Sequence, residues 1–133
     1  MSDKHIRFLS LAKELASKTT NMRRGFGCVL VDKNKILVGA RNYKSHPKTP
    51  TNVTAYNQFG ELRYFGLHAE IAVLLKCDFP VRGMNVYVHG QNVRTGNLVN
   101  SSPCLLCEKV LKERGIKQAI YSTKEGYAIK TIN

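Results

Sequence analysis

Several things are scarce in this chain of 133 residues, and each scarcity removes a class of protein. No apolar run approaches the roughly 20 residues a membrane-crossing helix needs, so no membrane partner is expected. The opening residues, Met1-Ser2-Asp3-Lys4-His5, lack the charged-then-apolar layout of a secretory signal. There are only 4 cysteines. Without a signal they point to a reducing, cytoplasmic setting, where a metal site is expected before a disulfide framework. The chain shows no internal repeat, no low-complexity segment and no basic tail. Acidic residues are also few: 9 Asp and Glu stand against 21 Lys and Arg, a formal net charge of +12. That balance concentrates anionic partners, whether a nucleotide phosphate or a nucleic-acid backbone. The cations are scattered, with only Arg23 and Arg24 adjacent, so a solvated basic surface explains them equally well.

What is present reads as one globular domain over residues 1–133, with an ordinary 43% of hydrophobic and 23% of charged residues. Ser2 or Asp3 caps a first helix to about Lys18, whose Phe8, Leu9, Ala12, Leu15 and Ala16 recur at helical spacing. Phe26 to Val31 is a buried strand, Asp32 to Lys35 a turn, and Ile36 to Ala40 the returning strand. From Arg41 to about Phe65 periodicity dissolves into Pro47, Pro50, Gly60, three tyrosines, amides and threonines. A loop of that length is usually functional, and this one, leading into His68, reads as a wall or lid, or else as a surface excursion.

A second helix opens at His68 and runs to about Cys77, with Ile71, Leu74 and Leu75 on its buried face. Asn85 to His89 is a third strand, and Gln91 to Ser102 a loop. A third helix starts near Cys104 and stops at Gly115. Lys117 to Tyr121 and Tyr127 to Ile132 are the last strands. The few residues around Lys124-Glu125-Gly126 cannot carry a crossover, so these two strands should be antiparallel. The expected class is α/β: a mixed five-stranded sheet with helices packed on it.

Chemistry concentrates in His68-Ala69-Glu70 and Pro103-Cys104-Leu105-Leu106-Cys107. One imidazole and two thiolates are ligands that zinc takes, and three protein ligands with an open fourth position is a catalytic arrangement. Cys104 and Cys107, three apart, share one helical face. Both segments fall where helices begin, and the partial positive charge there favours thiolates. Glu70, two residues beyond His68, is badly placed to grip the same ion but can reach a water bound to it. A closed structural knot would need a fourth ligand from Cys28, Cys77 or His89. Cys28 lies in an apolar strand and Cys77 ends an apolar helix face, where thiols act as core residues. A strand histidine such as His89 is more often satisfied by its neighbours than a ligand.

H-x-E followed by P-C-x-x-C is the signature of zinc nucleobase deaminases. From its first strand to its fourth, the chain resembles the cytidine and deoxycytidylate deaminase superfamily. That resemblance implies a three-layer fold with helices on both sheet faces, a zinc ion on His68, Cys104 and Cys107, and Glu70 as the catalytic proton carrier. It implies attack on C4 of cytosine or C6 of adenine with loss of ammonia. It also marks Asn42 for the sugar or base, against the plainer reading of a turn-forming amide, and the backbone N–H of Ala69 for the ring carbonyl. Ser102 joins that substrate-binding set. His46 either stacks on a base or is solvated. Arg23, Arg24, Lys44 and Lys48 are phosphate candidates. Small deaminases of this family pair their helices, so a homo-oligomer is implied.

The branch is less uniform. Histidine as first ligand resembles the deoxycytidylate and tRNA-adenosine deaminases, whereas free-cytidine enzymes mostly use cysteine there. Antiparallel last strands are similar to the free-nucleoside enzymes, and the C-terminal helix of the tRNA enzymes is missing before Asn133. The expected substrate is a free cytosine nucleoside or nucleotide, most narrowly deoxycytidylate. The rival readings are a base editor on single-stranded RNA or DNA, which basic charge and a tyrosine-bearing loop would suit, and a zinc-stabilised binding module without catalysis.

Overall fold

The structure is a computed structural model and describes residues 3–19, 23–42, 54–56, 62–64 and 68–133. Its elements, in chain order, are α1 (Asp3–Ser17), β1 (Arg24–Asp32), β2 (Lys35–Arg41), β3 (Thr54–Tyr56), β4 (Leu62–Tyr64), α2 (Ala69–Leu75), β5 (Asn85–Asn92), α3 (Leu105–Glu113), β6 (Gln118–Thr123) and β7 (Gly126–Thr131). Five strands form one sheet in the order β2-β1-β5-β6-β7. Pairing is antiparallel throughout except between β5 and β6, and α3 supplies the crossover that a parallel pair requires. Two residues alone, Lys124 and Glu125, separate β6 from β7, and those strands are antiparallel as expected.

Alternation along the strands sorts the core into two layers. Val29 and Val31 of β1, with Tyr87 of β5 and Ile120 of β6, pack on Phe8 and Leu9 of α1. The residues between them, Cys28, Leu30, Val86, Val88 and Ala119, meet Ala72, Val73 and Leu74 of α2 and Leu111 of α3 on the other face. Helices therefore cover both faces of the mixed sheet, the expected three layers. The α1 backbone lies directly on β1. A Cβ on Gly27 would collide with the Ala12 carbonyl oxygen, and any side chain there would lift the helix off the sheet.

Helix α3 ends in a two-bond cap. Gly115, at φ +83°, turns the chain so that its N–H meets the Lys112 carbonyl and the Ile116 N–H meets the Leu111 carbonyl. Among the described residues no helix is long and apolar enough to cross a membrane.

Two expectations need correction. Leu75 is 59% exposed; Leu74 is buried as expected and Ile71 half-buried, and Ala69, Glu70, Ala72 and Val73 complete the buried face of α2. The stretch read as a loop from Arg41 to Phe65 contains an antiparallel pair of short strands, Thr54–Tyr56 against Leu62–Tyr64. Three-residue strands are too short for an alternating pattern to declare itself.

Candidate metal centre and active site

His68 and Cys104 occupy equivalent places, each the extended residue just before a helix: His68 at φ −72°, ψ 152° ahead of α2, and Cys104 at φ −67°, ψ 168° ahead of α3. At Cys104 the sulfur itself caps the helix, accepting the Cys107 N–H at 3.4 Å, so the bond that starts α3 also aims the first thiol. Cys107 follows one turn later, on the same face and buried. Both helices lie against each other on one sheet face, which brings their first turns together.

The result is a compact donor set. His68 Nδ1 lies 3.3 Å from Cys107 Sγ and 3.6 Å from Cys104 Sγ, and the three donor atoms all fall within 4.8 Å of one another. Tetrahedral zinc bonded to nitrogen at about 2.0–2.1 Å and sulfur at about 2.3 Å separates such atoms by about 3.6 Å. The residues therefore fit a zinc ion. Cys28 and Cys77 are not part of the cluster. Cys28 is fully buried in the core, and the Cys77 thiol donates to the Val73 carbonyl at 3.3 Å. His89 lies on the opposite sheet face, where its Nε2–H donates to Gln91 Oε1 and its Nδ1 accepts from the Tyr127 hydroxyl, both at 2.9 Å. It is a satisfied sheet residue.

A hydrogen bond from the Cys107 thiol, then bonds from His68 and the Cys107 N–H, bring the Cys104 pKa down to about 4. Cys107, as the donor to that thiolate and itself buried, is pushed far up, so its proton has to leave when a metal binds. The bond to Cys104 also raises His68, against its burial. Glu70, the second residue of α2, is only 5% exposed. Burial raises its carboxyl pKa, with its own backbone N–H and His68 pulling partly the other way. That places a buried carboxyl, the group type that carries protons in general acid–base catalysis, beside the ligand cluster.

The remaining candidates are distributed less tightly. Ala69 is the first residue of α2 and fully buried. The Asn42 side chain braces the start of β1: its Oδ1 accepts from Thr19 Oγ1 at 2.7 Å and the Phe26 N–H at 2.9 Å, and its Nδ2 donates to the Arg24 carbonyl at 3.1 Å. Ser102 is half-buried, its N–H donating to Asn100 Oδ1 at 2.9 Å. Arg23 and Arg24 are exposed at the entry to β1. His46, Lys44 and Lys48 lie outside the described residues. The motifs do not single out Ser101 and Ser122, two buried hydroxyls beside the segment that delivers Cys104. The one signal for them in the sequence is a serine at an otherwise buried strand position of β6.

Residues 2–123 match the family described as the cytidine and deoxycytidylate deaminase zinc-binding region. The chain belongs to this family. Among curated proteins it is similar to the deoxycytidylate deaminase of Schizosaccharomyces pombe, 29% identical over 126 residues. That match covers 87% of this chain and 36% of the relative, so the chain spans about a third of that protein's length. Among solved structures it is similar to the dCMP deaminase of cyanophage S-TIM5, with TM-score 0.61 and 21% identity over 91% of this chain and 84% of that one. The cytidine deaminase of Mycobacterium leprae follows at TM-score 0.56 and 17% identity, over 96% and 92%. At these identities the structural likeness is one of fold, and it includes the mixed sheet and its helices.

Proposed function

We propose that this chain hydrolytically deaminates a free cytosine nucleotide, most narrowly dCMP to dUMP, with His68, Cys104 and Cys107 as zinc ligands and Glu70 as proton carrier. The observation that carries this reading is the donor set within 4.8 Å with a buried carboxyl two residues from one of its members. Zinc bound there supplies the Lewis acidity that brings a water close to ionisation at neutral pH. Glu70 accepts the first proton of the water and delivers it to the ring nitrogen next to C4, then takes the second from the hydroxyl formed on C4 and gives it to the departing amine. Water's oxygen ends on C4, the C4–N bond breaks and ammonia leaves. Burial raises the Glu70 pKa, the direction that makes its protonated form easier to reach during the proton transfers. Cys104, Cys107 and His68 Nδ1 would serve as ligands throughout and take no part in the proton transfers.

The nucleotide assignment is supported by the name of the fission-yeast relative and by the cyanophage enzyme, which is known in complex with dCMP and dUMP. The net charge of +12 favours a phosphorylated substrate over a neutral nucleoside. We further expect a homo-oligomer, which light scattering would establish. The test of substrate is ammonia release from cytidine, deoxycytidine, CMP, dCMP, adenosine and a short single-stranded oligonucleotide. Highest kcat/KM on dCMP is expected. Turnover confined to the oligonucleotide would replace this reading with that of a nucleic-acid editor.

A further inference from the structure

The parallel pairing of β5 with β6 runs only as far as Val88 and Tyr121. Beyond that point the strands part, and the segment ahead of Cys104 enters between them. The Val99 N–H donates to the Gly90 carbonyl at 3.1 Å, and the Ser101 N–H to the Ser122 carbonyl at 2.8 Å. Two hydroxyls lock this wedge. Ser122 Oγ accepts the Gly90 N–H at 2.9 Å and lies 2.8 Å from both the Val99 carbonyl and Ser101 Oγ. Ser101 Oγ accepts the Ser122 N–H at 2.8 Å and donates to the Val88 carbonyl at 3.1 Å. Both serines are buried, Ser122 completely. Hydroxyl bonds are directional, and these tie the segment to β5 and β6 at once.

From this node the chain reaches Cys104 through Ser102 and Pro103 alone. Proline fixes its own φ and restricts the residue before it to extended backbone, and the Ser102 N–H is already taken by Asn100. The connection is a short stiff arm. We propose that Ser101 and Ser122 are positioning residues for the metal centre: their paired hydroxyls set the backbone that holds the Cys104 sulfur at ligand distance from His68. This rests on the reading of His68, Cys104 and Cys107 as zinc ligands. The node has no hydrogen bond to any of the three donor atoms and acts through the backbone.

The test is metal affinity, measured by competition with a chelator on purified protein, for wild type, Ser101→Ala, Ser122→Ala and Tyr87→Phe. The last loses the half-buried contact of the Tyr87 hydroxyl with His5 Nδ1, at 2.6 Å on the opposite sheet face, and so controls for general loosening. Each serine variant should bind zinc about tenfold more weakly or worse, with Tyr87→Phe within about twofold of wild type. Unchanged affinity in Ser101→Ala, or an equal loss in Tyr87→Phe, would overturn the proposal while leaving the metal centre intact. A wild type that takes up no zinc would overturn both. Should the serine variants fail to fold, wild-type amide exchange decides. Because coupling is reciprocal, zinc should slow exchange at Ser101 and Ser122 more than at Tyr87, and equal slowing would refute the node's role.

Discussion

Glu70→Gln is the most informative single perturbation, because it exchanges one oxygen for nitrogen and leaves the shape of the side chain alone. The carboxyl is 5% exposed, so bulk water is poorly placed to replace it as proton carrier. General acid–base groups contribute about 10²–10⁴-fold to rate, which is about 3–5 kcal/mol of barrier. The burial of Glu70, together with its use in successive proton transfers, places the expected loss in kcat toward the upper end. Stability should move the other way or not at all. Burial raises the carboxyl pKa, meaning that the ionised side chain is disfavoured where it stands, and a neutral amide relieves that cost. KM for dCMP should change far less than kcat, since an amide at position 70 can still hydrogen-bond the ring nitrogen but cannot carry its proton. The assay is ammonia release under saturating dCMP, with zinc content and urea midpoint measured on the same preparation. A kcat within tenfold of wild type would refute the proton-carrier role. Loss of zinc in the variant would instead make Glu70 a support for the ligands.

Burial holds the His89 pKa down, with the Gln91 contact opposing and Lys13 adding to it, so the folded protein keeps the ring neutral where the unfolded chain takes a proton near pH 6.5. The unfolded state then binds more protons, and stability should fall as pH drops from about 7.5 to 5. His89→Gln should flatten, without abolishing, the slope of urea midpoint against pH, because His5 is shifted in the same direction. A slope unaltered by the substitution would mean that His89 titrates normally. Cys28→Ala removes a fully buried sulfur from the core and should cost about 1 kcal/mol in urea unfolding, with the zinc-to-protein ratio unchanged. A lower ratio would make Cys28 a ligand.

Much of the fold and of the metal centre is legible in the sequence. The apolar spacing of Phe8, Leu9, Ala12 and Ala16 marks a face that is buried on β1 and β5, and two intervening residues suffice to force β6 and β7 antiparallel. His68 and Cys104 read as helix starts, and both prove to be the residues immediately before helices. What escapes has physical causes. Leu75 stands at helical spacing from Ile71, yet the buried face of α2 is centred on Ala69, Ala72 and Val73, and Leu75 falls outside it. The β3–β4 pair has three residues per strand, below the length at which alternation carries information. The bonds of Asn42 to Thr19, Phe26 and Arg24 join groups 16 to 23 residues away, which no local pattern encodes. The Ser101–Ser122 contact spans 21 residues and is invisible for the same reason.

The most direct measurement is dCMP turnover by purified protein before chelation, after complete zinc removal, and after zinc is restored. Hydrolysis should track the zinc-to-protein ratio, vanish with the ion and return with it, while Cys104→Ala neither retains zinc nor regains activity. Full turnover by metal-free protein, or stoichiometric zinc in a chain lacking Cys104, would contradict a hydrolytic centre built on His68, Cys104 and Cys107.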